Sequence, residues 1–424
     1  MPQCTVCGSW IQPPEVHICE GVKIPMMSLV KAKVIVPLKP SGNIGHLHNE
    51  ILNRIFKLLD ERSLGLIALV CSKWRPFSIR LLGEWVPTMF GHGSTTTNLK
   101  TQITKYLVGA KTVELAVDQF PYPGKGLNTS VLGYILNNNI ALNLALGTND
   151  PKTRNCLLEA SQKYTHVTTK NKMHNKIWVI DKEGVILGSP NVSFAGLQGG
   201  NLESCIMIKS LRAGHLFRRY LELVRCPKPE SSPLWDEISS ALTKYNSESH
   251  KLKLAFAPIM QITDFVADNL PDGVTKIVVR QFLISSATGK KGSKDILGVL
   301  CGLAKAGTDI EIYIDDQAWE TFPFVKEAAS QLIKAGCKVF TQTPVLVINA
   351  RNEGIQHDKL ILATLHDGVC RTMIGSAGFT RDVIANNNWE NFICTDVQSI
   401  HDSLMAHHLR TLDSKVATTF TIKS

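Results

Sequence analysis

Apolar residues fall into two similar rhythms along the chain, one over residues 98–226 and one over residues 251–412. The first has a short apolar run at 113–117, a helical stretch near 130–136, and a second run at 140–146. The second has a run at 277–279, a helical stretch near 294–304, and a run at 310–314. Short β-type runs alternating with helical spacing predict an α/β layer architecture. Each rhythm closes on a strand that carries a histidine and a lysine, at 173–180 and at 356–362. A unit that repeats in this way predicts two similar α/β/α halves packed about a pseudo-two-fold axis. The stretch from Cys226 to Lys253 opens with Pro227, Pro229, Ser231, Ser232 and Pro233. Clustered Pro and Ser predict a turn-rich connection, and the main internal boundary is placed there.

Upstream, residues 44–82 are dense in Leu, Ile and Phe at helical spacing, and residues 1–20 hold Cys4, Cys7, His17 and Cys19. The chain has 424 residues, of which 44% are hydrophobic and 19% charged, so a sizeable core is expected. No apolar run approaches the ~20 residues of a membrane helix, and the first ten residues lack the pattern of a signal peptide. Eleven scattered cysteines do not form a disulfide framework, which points to a reducing, cytoplasmic compartment. The net charge of +10 is uneven: residues 1–250 hold 28 Lys and Arg against 18 Asp and Glu, and residues 251–424 hold 18 of each. A basic first part suits an anionic partner, either nucleic acid or the surface of an acidic membrane.

The first histidine and lysine, His174 and Lys176, are two residues apart on the predicted strand, so their side chains leave one face. Asp181 follows after four intervening residues, and Gly188-Ser189-Pro190-Asn191 after six more; Glu203 stands twelve positions beyond Asn191. These types suit phosphodiester chemistry. Lysine fixes positive charge on the non-bridging oxygens of a crowded anionic transition state, and Ser and Asn add donors to the same oxygens. A neutral imidazole attacks phosphorus, and a carboxylate on its other ring nitrogen fixes its tautomer. The second copy reads His357-Asp358-Lys359, then Gly375-Ser376, then Glu390. It departs from the first at Thr364, which stands in the place of Asp181. Gly378 replaces Asn191, and the step to Gly375 is four residues longer.

The two His-x-Lys motifs with their Gly-Ser and downstream Glu resemble the signature of the phospholipase D superfamily. The resemblance implies a single active site built from both halves: His174, Lys176, Asp181, Ser189, Asn191, Glu203, His357, Lys359, Ser376 and Glu390. It implies a covalent phosphohistidine on His174, with His357 as the acid that protonates the leaving alcohol, and no metal or other cofactor for catalysis. The substrate is a phosphodiester, with phospholipid as the first reading and nucleic acid as the alternative. The run Lys163, His166, Lys170, Lys172 leading into the first motif fits either polyanion. A different alternative is a catalytically idle fold that holds a target.

Leu47, Ile51 and Ile55 lie on one helical face, followed by Ser63 as an N-cap and a second helix ending Val70-Cys71-Ser72-Lys73-Trp74. This segment resembles an F-box, with His48 where that family usually has Pro. The resemblance implies docking on a Skp-type adaptor of a cullin ubiquitin ligase through Leu47, Ile51, Ile55 and Trp74. It also implies a eukaryotic cell, or an effector delivered into one. Cys4, Cys7, His17 and Cys19 offer four ligands of the type that structural zinc takes.

Overall fold

The chain divides into two compact units, 1–84 and 85–424. A computed structural model describes residues 88–91, 99–118, 131–147, 165–181, 184–193, 196–197, 201–248, 251–270, 273–285, 294–345, 354–380, 388–414 and 416–422, all in the second unit. The readings on residues 1–20 and 44–82, with Cys4, Cys7, His17, Cys19, Leu47, Ile51, Ile55 and Trp74, lie outside the described residues.

Two sheets carry the fold. The first holds β1 (Thr88–Gly91), β2 (Thr112–Val117), β3 (Ala141–Leu146), β4 (Thr165–Thr169), β5 (Lys176–Ile180), β6 (Gly184–Gly188) and β7 (Glu203–Lys209), in the order β1-β7-β6-β5-β2-β3-β4. The second holds β8 (Leu252–Ala257), β9 (Val274–Gln281), β10 (Asp309–Asp315), β11 (Lys338–Pro344), β12 (Lys359–Leu365), β13 (Cys370–Gly375), β14 (Glu390–Thr395) and β15 (Ala417–Ile422). Its order is β15-β11-β10-β9-β12-β13-β14-β8. Read from β8, it repeats the first sheet strand for strand, and β15 is added at the far edge. The match extends to register: Gly91 of β1 opposes Glu203, and Ala257 of β8 opposes Glu390.

Both sheets are covered on both faces, so their strands read as continuous apolar runs. β2 buries five successive residues after Thr112, and β5 and β6 are buried throughout. α1 (Leu99–Leu107) and α2 (Val131–Asn137) cover the outer face of the first sheet, on Val113, Leu115, Leu142 and Leu144. α3 (Leu211–Arg225), started by the Ser210 side chain accepting from the Ala213 amide, and α4 (Pro233–Glu248) fill the space between the sheets. α5 (Ile262–Asp268), α6 (Ile296–Lys305), α7 (Asp316–Thr321) and α8 (Pro323–Lys334) follow. Of these, α5, α6 and α8 bury Phe265, Leu300 and Leu332 against the outer face of the second sheet. α9 (Gln398–Thr411) returns Ile400 and Leu404 to the middle layer. The two similar halves predicted from the repeat are therefore present.

Two expectations need correction. The connection over 226–253, expected to be turn-rich, is mostly helix. Its turn residues end at Ser232, and α4 takes up 233–248, with Ile238, Leu242 and Tyr245 buried in a core shared by both halves. The Pro and Ser cluster marks a helix start, where Pro233 needs no amide partner. The histidines also lie off the strands that were expected to carry them. β5 begins at Lys176 and β12 at Lys359, because the backbone just before each lysine bonds to the other half.

Candidate active site

Two equivalent crossings of the backbone build the site. Residues 172–174 run beside Trp389: Trp389 N donates to Lys172 O at 2.9 Å and His174 N to Trp389 O at 3.0 Å. Related by the pseudo-symmetry, Leu202 N donates to Ile355 O at 2.9 Å and His357 N to Leu202 O at 3.0 Å. The bridges are parallel, Met173 with Trp389 and Leu202 with Gln356. Each histidine thus stands at the head of the strand that bears the other half's glutamate.

The side chains pair accordingly. His174 Nδ1 lies 2.7 Å from Glu390 Oε1. His357 Nδ1 lies 3.0 Å from Glu203 Oε1 and 3.1 Å from Oε2. The sequence order placed Glu203 after the first motif and Glu390 after the second, which reads as pairing within each half. The partners are instead exchanged, because β7 and β14 begin at the seam and each points its first side chain across it. In both imidazoles the carboxylate occupies Nδ1 and leaves Nε2 for chemistry.

Both lysines converge on the same site and are almost fully buried. Lys176 Nζ donates to the His174 carbonyl at 2.8 Å, and Lys359 Nζ to the His357 carbonyl at 2.9 Å. Burial lowers both amines. Lys359 falls to about 7, with Lys176 pushing it down further and Glu203 and Glu390 pulling it up. Lys176 feels Glu390, Asp118 and Glu203. Burial likewise takes His357 down to about 4, against the pull of Glu203. Two buried ammonium groups close to each other repel, and an anion between them relieves both the repulsion and the desolvation.

The Gly-Ser pairs owe their residue types to strand spacing. A Cβ on Gly188 would lie 2.3 Å from Ser204 O, and one on Gly375 would lie 2.2 Å from Asn391 O. The glycines let β6 and β13 close on the glutamate strands, and the serines then sit beside them. Ser189 Oγ accepts from Ser204 N at 3.1 Å, and Ser376 Oγ from Asn391 N at 3.0 Å. Ser376 Oγ also donates to Glu390. Asn191 lies two residues past Ser189, with Oδ1 buried and lacking a hydrogen-bond partner. At Gly378, its counterpart, a Cβ would meet nothing within 4 Å.

Asp181 belongs to the set by sequence, but the fold keeps it away. It follows the far end of β5, and its Oδ1 accepts from the amides of Lys111 at 2.9 Å and Thr112 at 3.0 Å. Five strand residues at ~3.3 Å each separate it from the histidine end. Its role is to pin the start of β2, and the catalytic reading of Asp181 is corrected on that ground. A second copy that has Thr364 there loses nothing from the site.

Several site residues were not picked out from the sequence. Asn175 and Asp358, the middle residues of the two motifs, are buried and bond into the shared core rather than beside the lysines. Asn175 Nδ2 donates to the Tyr220 hydroxyl at 3.0 Å, and Asn391 Nδ2 donates to Asn175 Oδ1 at 3.1 Å. Asp358 takes Arg280 Nε at 2.9 Å and His407 Nε2 at 3.2 Å, all fully buried. Burial alone would raise Asp358; His407 and Arg280 outweigh it and hold the carboxyl below the usual range. Asn201 Nδ2 steadies Glu203 at 3.1 Å. Nothing local foretold their partners 45 to 216 residues away. Among the described residues no group of three His, Cys, Asp or Glu is placed to hold a metal ion, and no helix is long and apolar enough to cross a membrane.

Comparisons with known proteins add the following. Residues 44–78 match the F-box domain family. No curated protein sequence matches the chain. Among solved structures, a phosphatidylserine synthase of Haemophilus influenzae is similar at TM-score 0.53 and 11% identity, over 80% of this chain and 88% of that one. A polyphosphate kinase of Porphyromonas gingivalis is similar at TM-score 0.52 and 11% identity, over 82% of this chain. The match spans 49% of the kinase, so the chain covers about half that enzyme's length. A yeast tyrosyl-DNA phosphodiesterase matches at TM-score 0.44 and 11% identity, over 73% of this chain and 89% of that one. Residues 44–78 therefore match the F-box domain family, and the residues beyond them share the two-halved fold of the phosphatidylserine synthase.

Proposed function

We propose that the protein is a phosphodiesterase that works through a phosphohistidine, takes a phospholipid as substrate, and docks through its F-box on a Skp-type adaptor of a cullin ubiquitin ligase. The observation that carries the catalytic part is the crossed pair of His–Glu contacts around two buried lysines. His174, the more open of the two imidazoles, attacks phosphorus through Nε2 while Glu390 bears the developing charge on Nδ1. The P–N bond forms as the P–O bond to the leaving alcohol breaks. His357 gives that oxygen its proton. Water then attacks phosphorus, His357 takes its proton, and the P–N bond breaks to release the phosphomonoester. Burial lowers His357 and keeps it neutral near pH 7. The anionic diester, once bound beside it, raises the imidazole toward the protonated form that the acid role needs. Lys176, Lys359 and Ser189 hold the non-bridging oxygens, and Ser376 fixes Glu390.

The phospholipid reading draws support from the similarity to a phosphatidylserine synthase, which covers nearly all of that enzyme. The adaptor reading rests on the F-box match, and with it a eukaryotic intracellular setting, native or as a delivered effector. The test is a parallel assay on phosphatidylcholine vesicles, single-stranded DNA and RNA with EDTA present. Turnover of the vesicles, absent in His174→Ala, supports the proposal. Turnover of nucleic acid alone makes the protein a nuclease. No turnover by the wild type leaves an F-box receptor with an idle fold.

A further inference from the structure

The two halves of the site agree in His, Lys, Ser and Glu, yet they differ beside the lysines. Lys176 of β5 is opposite Val117 of β2, and Lys359 of β12 is opposite Gln281 of β9. The positions are equivalent, at the last residue of corresponding strands. Gln281 is fully buried, and neither its amide nitrogen nor its amide oxygen has a hydrogen-bond partner in the protein. Directly opposed residues of an antiparallel pair share a face of the sheet, with Cβ atoms about 4.5–5.5 Å apart. The register therefore places the Gln281 amide alongside the Lys359 stem, on the lysine's own side. Next to it on that face of β9 lie Val279 and Ile277, and Ile314 is beside it on β10.

A buried amide without partners destabilises a fold, and the first half shows that valine satisfies the same position. The next residue, Phe282, packs its ring 5.5 Å from the His357 ring, so this strand end borders the second histidine directly. Gln356 is also buried without side-chain partners, but it precedes the β12 ladder and no register fixes where its amide points.

We infer that Gln281 is a further substrate-contacting residue, whose amide hydrogen-bonds the phosphodiester on the Lys359 side of the site. This inference rests on the phosphodiesterase reading. The amide has one donor group and one acceptor, so it meets a non-bridging phosphate oxygen through Nε2 and a hydroxyl of the esterified alcohol through Oε1. The substrate class that uses both is a phosphodiester whose alcohol carries a further hydroxyl, such as a glycerol headgroup. A choline headgroup has no donor to offer Oε1. The first half, with Val117, has no such requirement. The site is thus asymmetric in what it asks of the two ester oxygens.

The experiment compares wild type, Gln281→Leu and Gln281→Val on vesicles of phosphatidylglycerol and of phosphatidylcholine, alongside thermal melts with and without inorganic phosphate. The expected result is a kcat/KM at least tenfold lower in both variants on phosphatidylglycerol and a smaller loss on phosphatidylcholine. The variants' melting temperature equals or exceeds that of wild type, and phosphate raises it less. A residue with a purely structural role, satisfied by a trapped water, gives the reverse: a lower melting temperature and an unchanged kcat/KM. If the wild type turns over a diester and both variants match it on both lipids, Gln281 has no substrate role and the phosphodiesterase reading stands. A wild type that turns over no diester overturns both.

Discussion

Replacing Lys359 with methionine should make the protein more stable and nearly inactive, and the gain in stability should depend on pH. The ammonium is fully buried, and its pKa falls from 10.5 to about 7. A tenfold loss of proton affinity is worth about 1.4 kcal/mol, so the charge is disfavoured by up to about 5 kcal/mol relative to water. Relaxation of the pocket and entry of water reduce that figure, and about 2 kcal/mol remains for a methionine that keeps the stem packed. The sign follows from proton binding. Between about pH 7 and 10.5 the unfolded chain holds the lysine's proton and the folded chain does not, so wild-type stability rises with pH across that window. The penalty is complete below pH 7 and gone above the unfolded pKa. Urea unfolding of wild type and Lys359→Met at pH 6 and pH 9 measures this. The variant should lead by about 2 kcal/mol at pH 6 and by clearly less at pH 9, with kcat/KM lower by ~10²–10³-fold. A variant no more stable than wild type at pH 6, or a gap unchanged at pH 9, would refute the buried-charge account of the site.

Other outcomes follow from the same geometry. Glu390→Gln should lower turnover by ~10³–10⁴-fold by releasing the His174 tautomer, and adding it to His174→Ala should change nothing further; pairing within halves would instead assign that coupling to Glu203. The pH profile of kcat/KM should fall above about pH 7 as Lys359 loses its proton, and Lys359→Arg should move that limb beyond pH 9 in whatever activity it retains. Arg280→Met should destabilise the fold by about 3–5 kcal/mol in urea unfolding, because Asp358 keeps a buried charge; adding Asp358→Leu should recover most of the loss. Leu47→Ala with Ile51→Ala should abolish capture of a Skp-type adaptor and leave lipid turnover unchanged, as measured by pull-down and assay on one preparation.

Much of this protein is legible in the sequence because its strongest signals are local. The F-box match falls on the segment whose spacing of Leu47, Ile51, Val70 and Trp74 carried the resemblance. The buried strands 112–117 and 309–315 announce themselves as apolar runs, and the repeat of such runs foretells a duplicated sheet. His-x-Lys followed by Gly-Ser carries the resemblance on which the proposed chemistry rests, because each residue type has an evident use around a phosphate.

What the sequence left open was decided by contacts between residues far apart in the chain. The order of strands puts Glu203 and Glu390 at the seam, and only the crossings at Trp389 and Leu202 exchange the two glutamates between the histidines. Asp181 shares its motif with His174 in sequence, yet strand length carries it to the opposite end of the sheet, where it holds the amides of Lys111 and Thr112. The 226–253 segment reads as a join, and burial of Tyr245 in a common core makes it part of the framework. The depressed pKa of Lys359 and the unpartnered amide of Gln281 come from burial, which no spacing along the chain encodes. Local pattern determines residue type, period and face; desolvation and pairing across the seam are sums over the whole fold, and so only the tertiary structure sets them.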